Sequence, residues 1–282
     1  MTRLKKTDIE NIDDSLLVYE KQLKKICGFS LWEIACHAAK LPKDSIFENK
    51  IKPINIHVVP VKSGLGIISG FTETVRSIIS HLGFKATCTK TSDVAGLAEA
   101  IENGTDLVFM ADDDRFVAFY LNKQQIFDNT PATAKGFISA LDLMVKGIQT
   151  KTVLVLGCGP VGFNAAIAAN DLGAQVAVFD IDPSKSLSMV EWFQKNRAKE
   201  IQLETDIDQA LQNHLLVFDA TPAADIISKD HFQPDTLIVA PGMPCGITRD
   251  AMIQYPLQFL HDPLQLGIAT MLALAIREIN IG

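Results

Sequence analysis

Two stretches of this chain carry residue types and spacings that could do chemistry. In "VLVLGCGPVGFNAAIAANDLGAQVAVFDID", Gly157, Gly159 and Gly162 form G-x-G-x-x-G directly after an apolar run. The first glycine of that pattern permits a tight turn, the second lets backbone approach a pyrophosphate, and the third lets helix and strand pack closely. The diphosphate would rest on free amides at the positive end of a helix that opens with Pro160 and Val161. Asp180 ends the next apolar run, where a carboxylate accepts hydrogen bonds from the adenosine ribose hydroxyls and repels a 2′-phosphate. The following "IDPSK" has no arginine to hold such a phosphate, so NAD is expected in preference to NADP; FAD or a degenerate site is the alternative. The second stretch is "FMADDDRFVAFYLN" (109–122), which sets Asp112, Asp113, Asp114 and Arg115 between two strand-like runs. A solvated turn explains it, and so does a site for a positively charged ligand.

Smaller candidates surround these two. "DATPAAD" (219–225) and "APGMPCG" (240–246) each follow a strand-like run, which places them on the ligand-binding carboxyl edge of an α/β sheet. Thr221, Pro222, Pro241 and Gly242 are therefore expected to contact the cofactor, unless the prolines merely end strands. "SGLGIISGF" (63–71) offers Ser63 and backbone amides to a substrate carboxylate or the cofactor, or else Gly64 and Gly66 simply make a turn. His261 and Asp262 end the last strand-like run; Asp262 is expected at the cofactor, and His261 is either a base or hydrogen-bonded scaffold. The remaining histidines show no metal spacing, the five cysteines form no C-x-x-C pair, and no metal is expected.

The elements that must position these residues are legible in the periodicity. Apolar residues at helical spacing over 7–26 and a serine-capped "SLWEIACHAAK" (30–40) predict two helices, and 41–53 reads as a loop. Strand, helix and strand then alternate: 55–61, near 70–82, 85–89, near 93–103 and 106–110. Residues 131–147 open with proline and close with glycine, as an isolated helix does. Strands at 152–157, 175–180, 215–220, 236–242 and 257–262, with a weaker one near 200–203, alternate with helical stretches in the second half. The expected fold class is α/β: N-terminal helices and a small parallel α/β domain, then a Rossmann-type doubly wound NAD-binding domain. The expected division is a substrate domain over 1–130, a connecting helix over 131–150 and the NAD domain over 151–282.

Composition restricts the function classes. A net charge of −7 with no basic block argues against nucleic acid and anionic membranes as partners. The N-terminal stretch lacks a signal-like apolar core, and "GIATMLALAI" (267–276) is too short to span a bilayer. A cytoplasmic protein with reduced cysteines is expected, and a homodimer is a candidate assembly.

Several motifs in a fixed order carry a resemblance: "SGLGIISGF", "MADDDRFVA" (110–118), "GCGPVGF", "DATPAAD", "PGMPCGI" and "DPLQLGIATM" (262–271). Together they resemble the PylD family of pyrrolysine synthases, almost end to end. The resemblance implies NAD-dependent oxidation of 3-methyl-D-ornithyl-N6-L-lysine at its terminal amine carbon, loss of ammonia and closure of a pyrroline ring. It implies Asp112 as the residue that engages substrate in catalysis. Leu4, Ser63, Phe71, Ala111 and Asp113 are implied as substrate-binding residues beside it. Asp114 and Arg115 depart from the family pattern. The other readings are a different NAD-dependent amino-acid or hydroxy-acid dehydrogenase and a non-catalytic NAD-sensing regulator, though no DNA-binding helix-turn-helix or basic stripe supports the latter.

Overall fold

The structure, a computed structural model, describes residues 4–42, 54–66 and 68–281. The loop expected over 41–53 therefore lies outside the described residues from position 43 on. Along the chain run α1 (Lys6–Ile9), α2 (Ile12–Cys27), α3 (Leu31–Ala39), β1 (Ile56–Val59), α4 (Phe71–His81), β2 (Ala86–Cys88) and α5 (Asp93–Glu102). Next come β3 (Leu107–Ala111), β4 (Phe116–Tyr120), β5 (Gln125–Asp128) and α6 (Asn129–Met144). The remainder is β6 (Thr152–Leu156), α7 (Pro160–Asp171), β7 (Gln175–Phe179), α8 (Pro183–Arg197), β8 (Gln202–Leu203), α9 (Ile207–Asn213), β9 (Leu216–Asp219), β10 (Leu237–Ala240), α10 (Arg249–Gln254), β11 (Phe259–His261) and α11 (Gln265–Ile281).

The chain divides into two compact units, each discontinuous in sequence. Of the described residues, one holds those within 4–22, 30–136 and 264–281; the other holds 23–29 and 137–263. Helix α6 passes from one unit to the other between Gly136 and Phe137. The last helix does not stay with the sheet that precedes it, so the expected unit over 151–282 parts from the observed one at Leu264.

The first unit holds a five-stranded sheet in the order β2-β1-β3-β4-β5. β1, β2 and β3 are parallel, as expected, but β4 and β5 run antiparallel to their neighbours. The reason is local. Ala111 faces Phe116 across the β3–β4 pair, so only residues 112–115 connect the strands. A connection this short joins antiparallel strands alone, because a parallel crossover needs a dozen residues or more. Strand β5 was missed in the sequence because "QIFD" is short, half polar and leaves Ile126 half exposed at the sheet edge. Leu107, Val108 and Phe109 are fully buried in this unit's core.

Helix α11 explains the long apolar run. Leu266, Ile268, Ala269, Met271, Leu272, Ala273, Ala275 and Ile276 are all fully buried. It packs on α3 and α4 of the same unit, and a helix apolar on every face must be enclosed by protein. Its close approach to the start of α6 uses small residues. A Cβ at Gly136 would lie 2.5 Å from the Thr270 hydroxyl, and one at Gly267 would lie 2.6 Å from both Asn129 and Thr133 side chains.

The second unit carries six parallel strands in the order β11-β10-β9-β6-β7-β8. This is the doubly wound order with its switch point between β6 and β9, where the chain leaves in opposite directions. Its core is built from Leu154, Leu156, Ala177, Val217, Ile238 and neighbouring apolar residues.

Candidate active site

The glycine turn stands at that switch point, between β6 and α7. Gly157 adopts φ +85°, a left-handed conformation open to glycine, and a Cβ there would press on the Ala220 backbone at 3.2 Å. A Cβ on Gly162 would lie 1.8 Å from the Gly157 carbonyl oxygen, so the third glycine exists for helix–turn packing. Gly159 differs: a Cβ there meets nothing within 4 Å. That position is the N-cap of α7, followed by Pro160 at the first helical position, and the space before it is open. The three glycines thus fit the roles that a dinucleotide-binding turn requires of them.

Asp180 closes β7 beside this turn. One carboxylate oxygen accepts the Cys158 amide at 2.7 Å and the other accepts the Asp182 amide at 2.9 Å. Each oxygen retains a second lone pair, which suits ribose hydroxyls. Asp180 therefore also braces the glycine turn, a role that spacing did not reveal. Next to it an open cavity of about 330 Å³ is lined by Cys158, Phe163, Lys185 and Trp192, among others, with Trp192 edge-on to Phe163 at 4.8 Å. Burial pushes the Cys158 thiol up to about 12 and the Cys245 thiol up to about 11, so both are neutral packing groups in their loops.

The loops after β9 and β10 converge on one buried carboxyl. Asp219 is fully buried; its Oδ1 accepts the Thr221 amide at 2.9 Å and the Thr221 hydroxyl at 2.7 Å. Its Oδ2 is buried without a hydrogen-bond partner. A Cβ on Gly246 would lie 2.2 Å from that oxygen, and one on Gly242 would lie 2.2 Å from the Thr221 carbonyl. Gly242 is thus required by loop packing, while Pro222 is exposed and Pro241 half-buried. Asp262 is buried, and it follows His261, whose Nδ1 lies 2.6 Å from the Ala240 carbonyl.

In the other unit the aspartate cluster is a turn with three distinct members. Asp112 donates its amide to the Arg115 carbonyl at 3.0 Å. Its Oδ1 accepts the amides of Asp114 at 2.9 Å and Arg115 at 2.8 Å, so the side chain shapes the turn as aspartates do. Its Oδ2 is uncommitted among the described residues. Asp113 reaches sideways, with Oδ2 accepting the Leu65 amide at 2.6 Å. Asp114 is exposed and contributes only its backbone. Arg115 donates from Nε and Nη2 to Asp128, at 2.9 and 2.8 Å.

Asp113 joins the aspartate turn to "SGLGIISGF". Gly64, Gly66 and Gly70 all lie at left-handed φ, of 71°, 80° and 86°. A Cβ on Gly64 would sit 2.0 Å from the Asp113 carboxylate, so the turn and the tether need each other. The Ser63 hydroxyl donates to Asp93 at 3.1 Å, and the Asp93 carboxylate also accepts the Lys62 and Ser63 amides. These bonds, led by that from Lys62, hold the Asp93 carboxyl below the ordinary aspartate value. Phe71 opens α4 and packs its ring edge-on against Phe116, the first residue of β4, at 5.3 Å. Ala111, half-buried, ends β3 just before Asp112, and Leu4 lies just ahead of α1, which packs on α4.

Ser63, Phe71, Ala111, Asp112 and Asp113 are thus gathered by one hairpin and one glycine loop, with Ser63 and Asp113 spending their side chains on holding it. Asp93 and Asp128 were missed as supporting residues. The only local signal for Asp128 is an acid just before a helix start, where its Oδ1 accepts the Thr130 amide at 2.8 Å. Asp93, at φ +57°, had no signal that spacing could show. Among the described residues no group of three or more His, Cys, Asp or Glu could hold a metal ion, and no helix is long and apolar enough to cross a membrane.

A parallel sheet in 3-2-1-4-5-6 order, with a glycine turn at its switch point and an acid ending the second strand, defines the Rossmann dehydrogenase class. Residues 130–228 match the family described as alanine dehydrogenase/PNT, C-terminal domain, and residues 8–127 match the family described as pyrrolysine biosynthesis protein PylD, N-terminal domain. The chain is 29% identical over 272 residues to a pyrrolysine synthase of Methanosarcina acetivorans, covering 96% of this chain and 98% of the relative. It is 28% identical over 278 residues to a pyrrolysine synthase of Methanosarcina barkeri, covering 96% and 97%. The first part of the chain is thus similar to the PylD N-terminal domain, and nearly the whole chain is similar to named pyrrolysine synthases. In fold, the chain is similar to quinate dehydrogenase from Corynebacterium glutamicum in complex with NAD (TM-score 0.53, 13% identity, 81% of this chain and 97% of that one). It is also similar to shikimate 5-dehydrogenase from Thermus thermophilus in complex with NADP(H) and shikimate (TM-score 0.52, 14% identity, 80% and 93%).

Proposed function

We propose that this protein is a pyrrolysine synthase: an NAD-dependent, cytoplasmic oxidoreductase that acts on the terminal CH–NH2 carbon of 3-methyl-D-ornithyl-N6-L-lysine. The observation that carries the reading is the similarity to named pyrrolysine synthases over 96% of this chain, which spans both units rather than the common dinucleotide fold alone.

The chain's own groups have defined tasks in that reaction. The amides ahead of α7 would hold the cofactor's pyrophosphate at Gly159, where a Cβ meets nothing within 4 Å, and Asp180 would hold the adenosine ribose hydroxyls. Bound there, NAD supplies a hydride acceptor. Thr221, Pro222, Pro241, Gly242 and Asp262, in the loops at the carboxyl edge of the same sheet, would hold the rest of the cofactor. Asp112 receives a substrate ammonium on its uncommitted Oδ2, as a charge-assisted hydrogen bond. That ammonium is a non-reacting one. The reacting amine must lose a proton first, which costs about 4 kcal/mol from an alkylamine pKa of about 10.4 at pH of about 7.5, and a nearby carboxylate would raise that cost. Leu4, Phe71 and Ala111 supply apolar contact for the substrate chain, and Ser63 and Asp113 hold the loop that presents it. After oxidation, the imine is hydrolysed to an aldehyde with loss of ammonia, and the ornithine α-amine condenses with the aldehyde to close the ring.

The test is to mix the protein with NAD and the lysyl-methylornithine precursor, and to look for pyrrolysine by mass. Formation of pyrrolysine with stoichiometric NADH supports the assignment. NAD binding with turnover of an ordinary amino acid and none of the precursor overturns it.

A further inference from the structure

We propose that His261 is the group that accepts the proton from the reacting amine. His261 ends β11 directly beside Ala240 in the parallel β10–β11 pair, at the carboxyl edge of the sheet. Its Nδ1 is 2.6 Å from the Ala240 carbonyl oxygen. A carbonyl has no proton to give, so Nδ1 must carry the hydrogen in that bond. In a neutral ring this leaves the lone pair on Nε2, which no described residue occupies. The backbone thereby presets the imidazole as a base, on a half-buried side chain at the carboxyl edge of the sheet.

A second observation comes from β9. The Asp219 carboxyl is fully buried and its Oδ2 has no hydrogen-bond partner, although Oδ1 takes two bonds from Thr221. Burial raises the Asp219 pKa, and the His261 charge lowers it. The other titratable groups around the pair are Asp262, Asp225 and Cys245, and the Cys245 thiol is held neutral by burial. Asp219 is a positioning residue here, since it shapes the same sheet edge through the Thr221 turn.

The inference rests on the amine oxidation proposed above. In the step itself, one N–H bond of the substrate ammonium breaks and an Nε2–H bond forms; the positive charge moves from substrate nitrogen to imidazole. The freed lone pair is what carbon–nitrogen double-bond formation then requires.

Two readouts test it on the full-length protein. In 15N-histidine NMR, with His261→Asn used to assign the signal, neutral His261 should be protonated on Nδ1; an Nε2–H tautomer overturns the proposal. In steady-state kinetics with the precursor and NAD, His261→Asn should lower kcat/KM by about a hundredfold or more, erase the acid limb of its pH profile and leave NAD affinity unchanged. A His261→Asn enzyme with the wild-type acid limb overturns the proposal. Should wild-type protein fail to turn over the precursor, the substrate assignment fails, while the ring-nitrogen result still decides which face of His261 is basic.

Discussion

Asp112, Asp113 and Asp114 are consecutive and chemically identical, yet the structure sorts them by where each carboxylate goes. Asp112 spends one oxygen on the turn, Asp113 spends one on Leu65, and Asp114 spends none on any described residue. Asp112→Asn keeps the turn's acceptor but removes charge, so kcat/KM should fall about ten- to a hundredfold, matching the roughly 1.5–3 kcal/mol of a charged hydrogen bond. NAD affinity should hold, because the glycine turn belongs to the other unit. Asp114→Asn should leave both quantities within about twofold, as a surface substitution does. Steady-state kinetics with parallel NAD titration decides, and equal activity of Asp112→Asn and wild type would reduce the cluster to a turn. At Asp180 the expected preference for NAD over NADP is at least about tenfold, or about 1.4 kcal/mol. Asp180→Ala should narrow that gap by weakening NAD, and calorimetry showing equal affinities in the wild type would remove the assignment.

At the scale of elements, the glycines of one turn should respond in opposite ways. Gly159→Val adds a side chain to open space, so the fold should survive with an unchanged melting temperature while NAD binding collapses. Gly162→Ala drives a methyl into the Gly157 carbonyl, so it should lower the melting temperature as well. Thermal melts with NAD titration separate the two. If Gly159→Val binds NAD normally, the diphosphate lies elsewhere. The loop at Lys62 and Ser63 has a pH signature. The Asp93 carboxyl is depressed in the folded protein, so its contribution is fully present above the ordinary aspartate range and is lost as pH falls through the lowered value. The Lys62 and Ser63 amide signals should therefore hold their shifts down through a pH of about 3.9 and move only below it. In Asp93→Asn they should show no such transition; a transition centred at the ordinary value in wild type would contradict the tether.

The whole molecule is organised by a chain that leaves its first unit and returns. Helix α11 completes the unit to which α1 belongs, and it lies against α3 there with most of its side chains fully buried. Truncation after Pro263 should therefore unfold the unit carrying the aspartate turn, although the deleted residues are remote in sequence. Fluorescence of Trp32, buried in that unit, against Trp192 in the other would report it, with single-tryptophan variants distinguishing the two. A truncated protein with the wild-type Trp32 signal would show that α11 is dispensable.

Much of this was legible from local pattern. The glycine spacing, the acid that ends β7 and the alternation of apolar strands with helices determined the Rossmann unit, including the weak strand at 202–203. Each rests on interactions between residues near in sequence or on the strict period of a strand. The motif order likewise pointed to the PylD family before any coordinates. What tertiary structure alone decided depends on partners far apart in the chain. The antiparallel β4 and β5 follow from the length of the aspartate turn and from an edge strand too polar to read. Asp113 meets Leu65, Asp93 meets Ser63, Arg115 meets Asp128, and Asp219 is sealed by Gly246, none at a spacing that a motif records. The return of α11 is decided the same way. A uniformly apolar helix announces that it is buried, but not against what, because hydrophobic attraction has no direction and only packing chooses the neighbour.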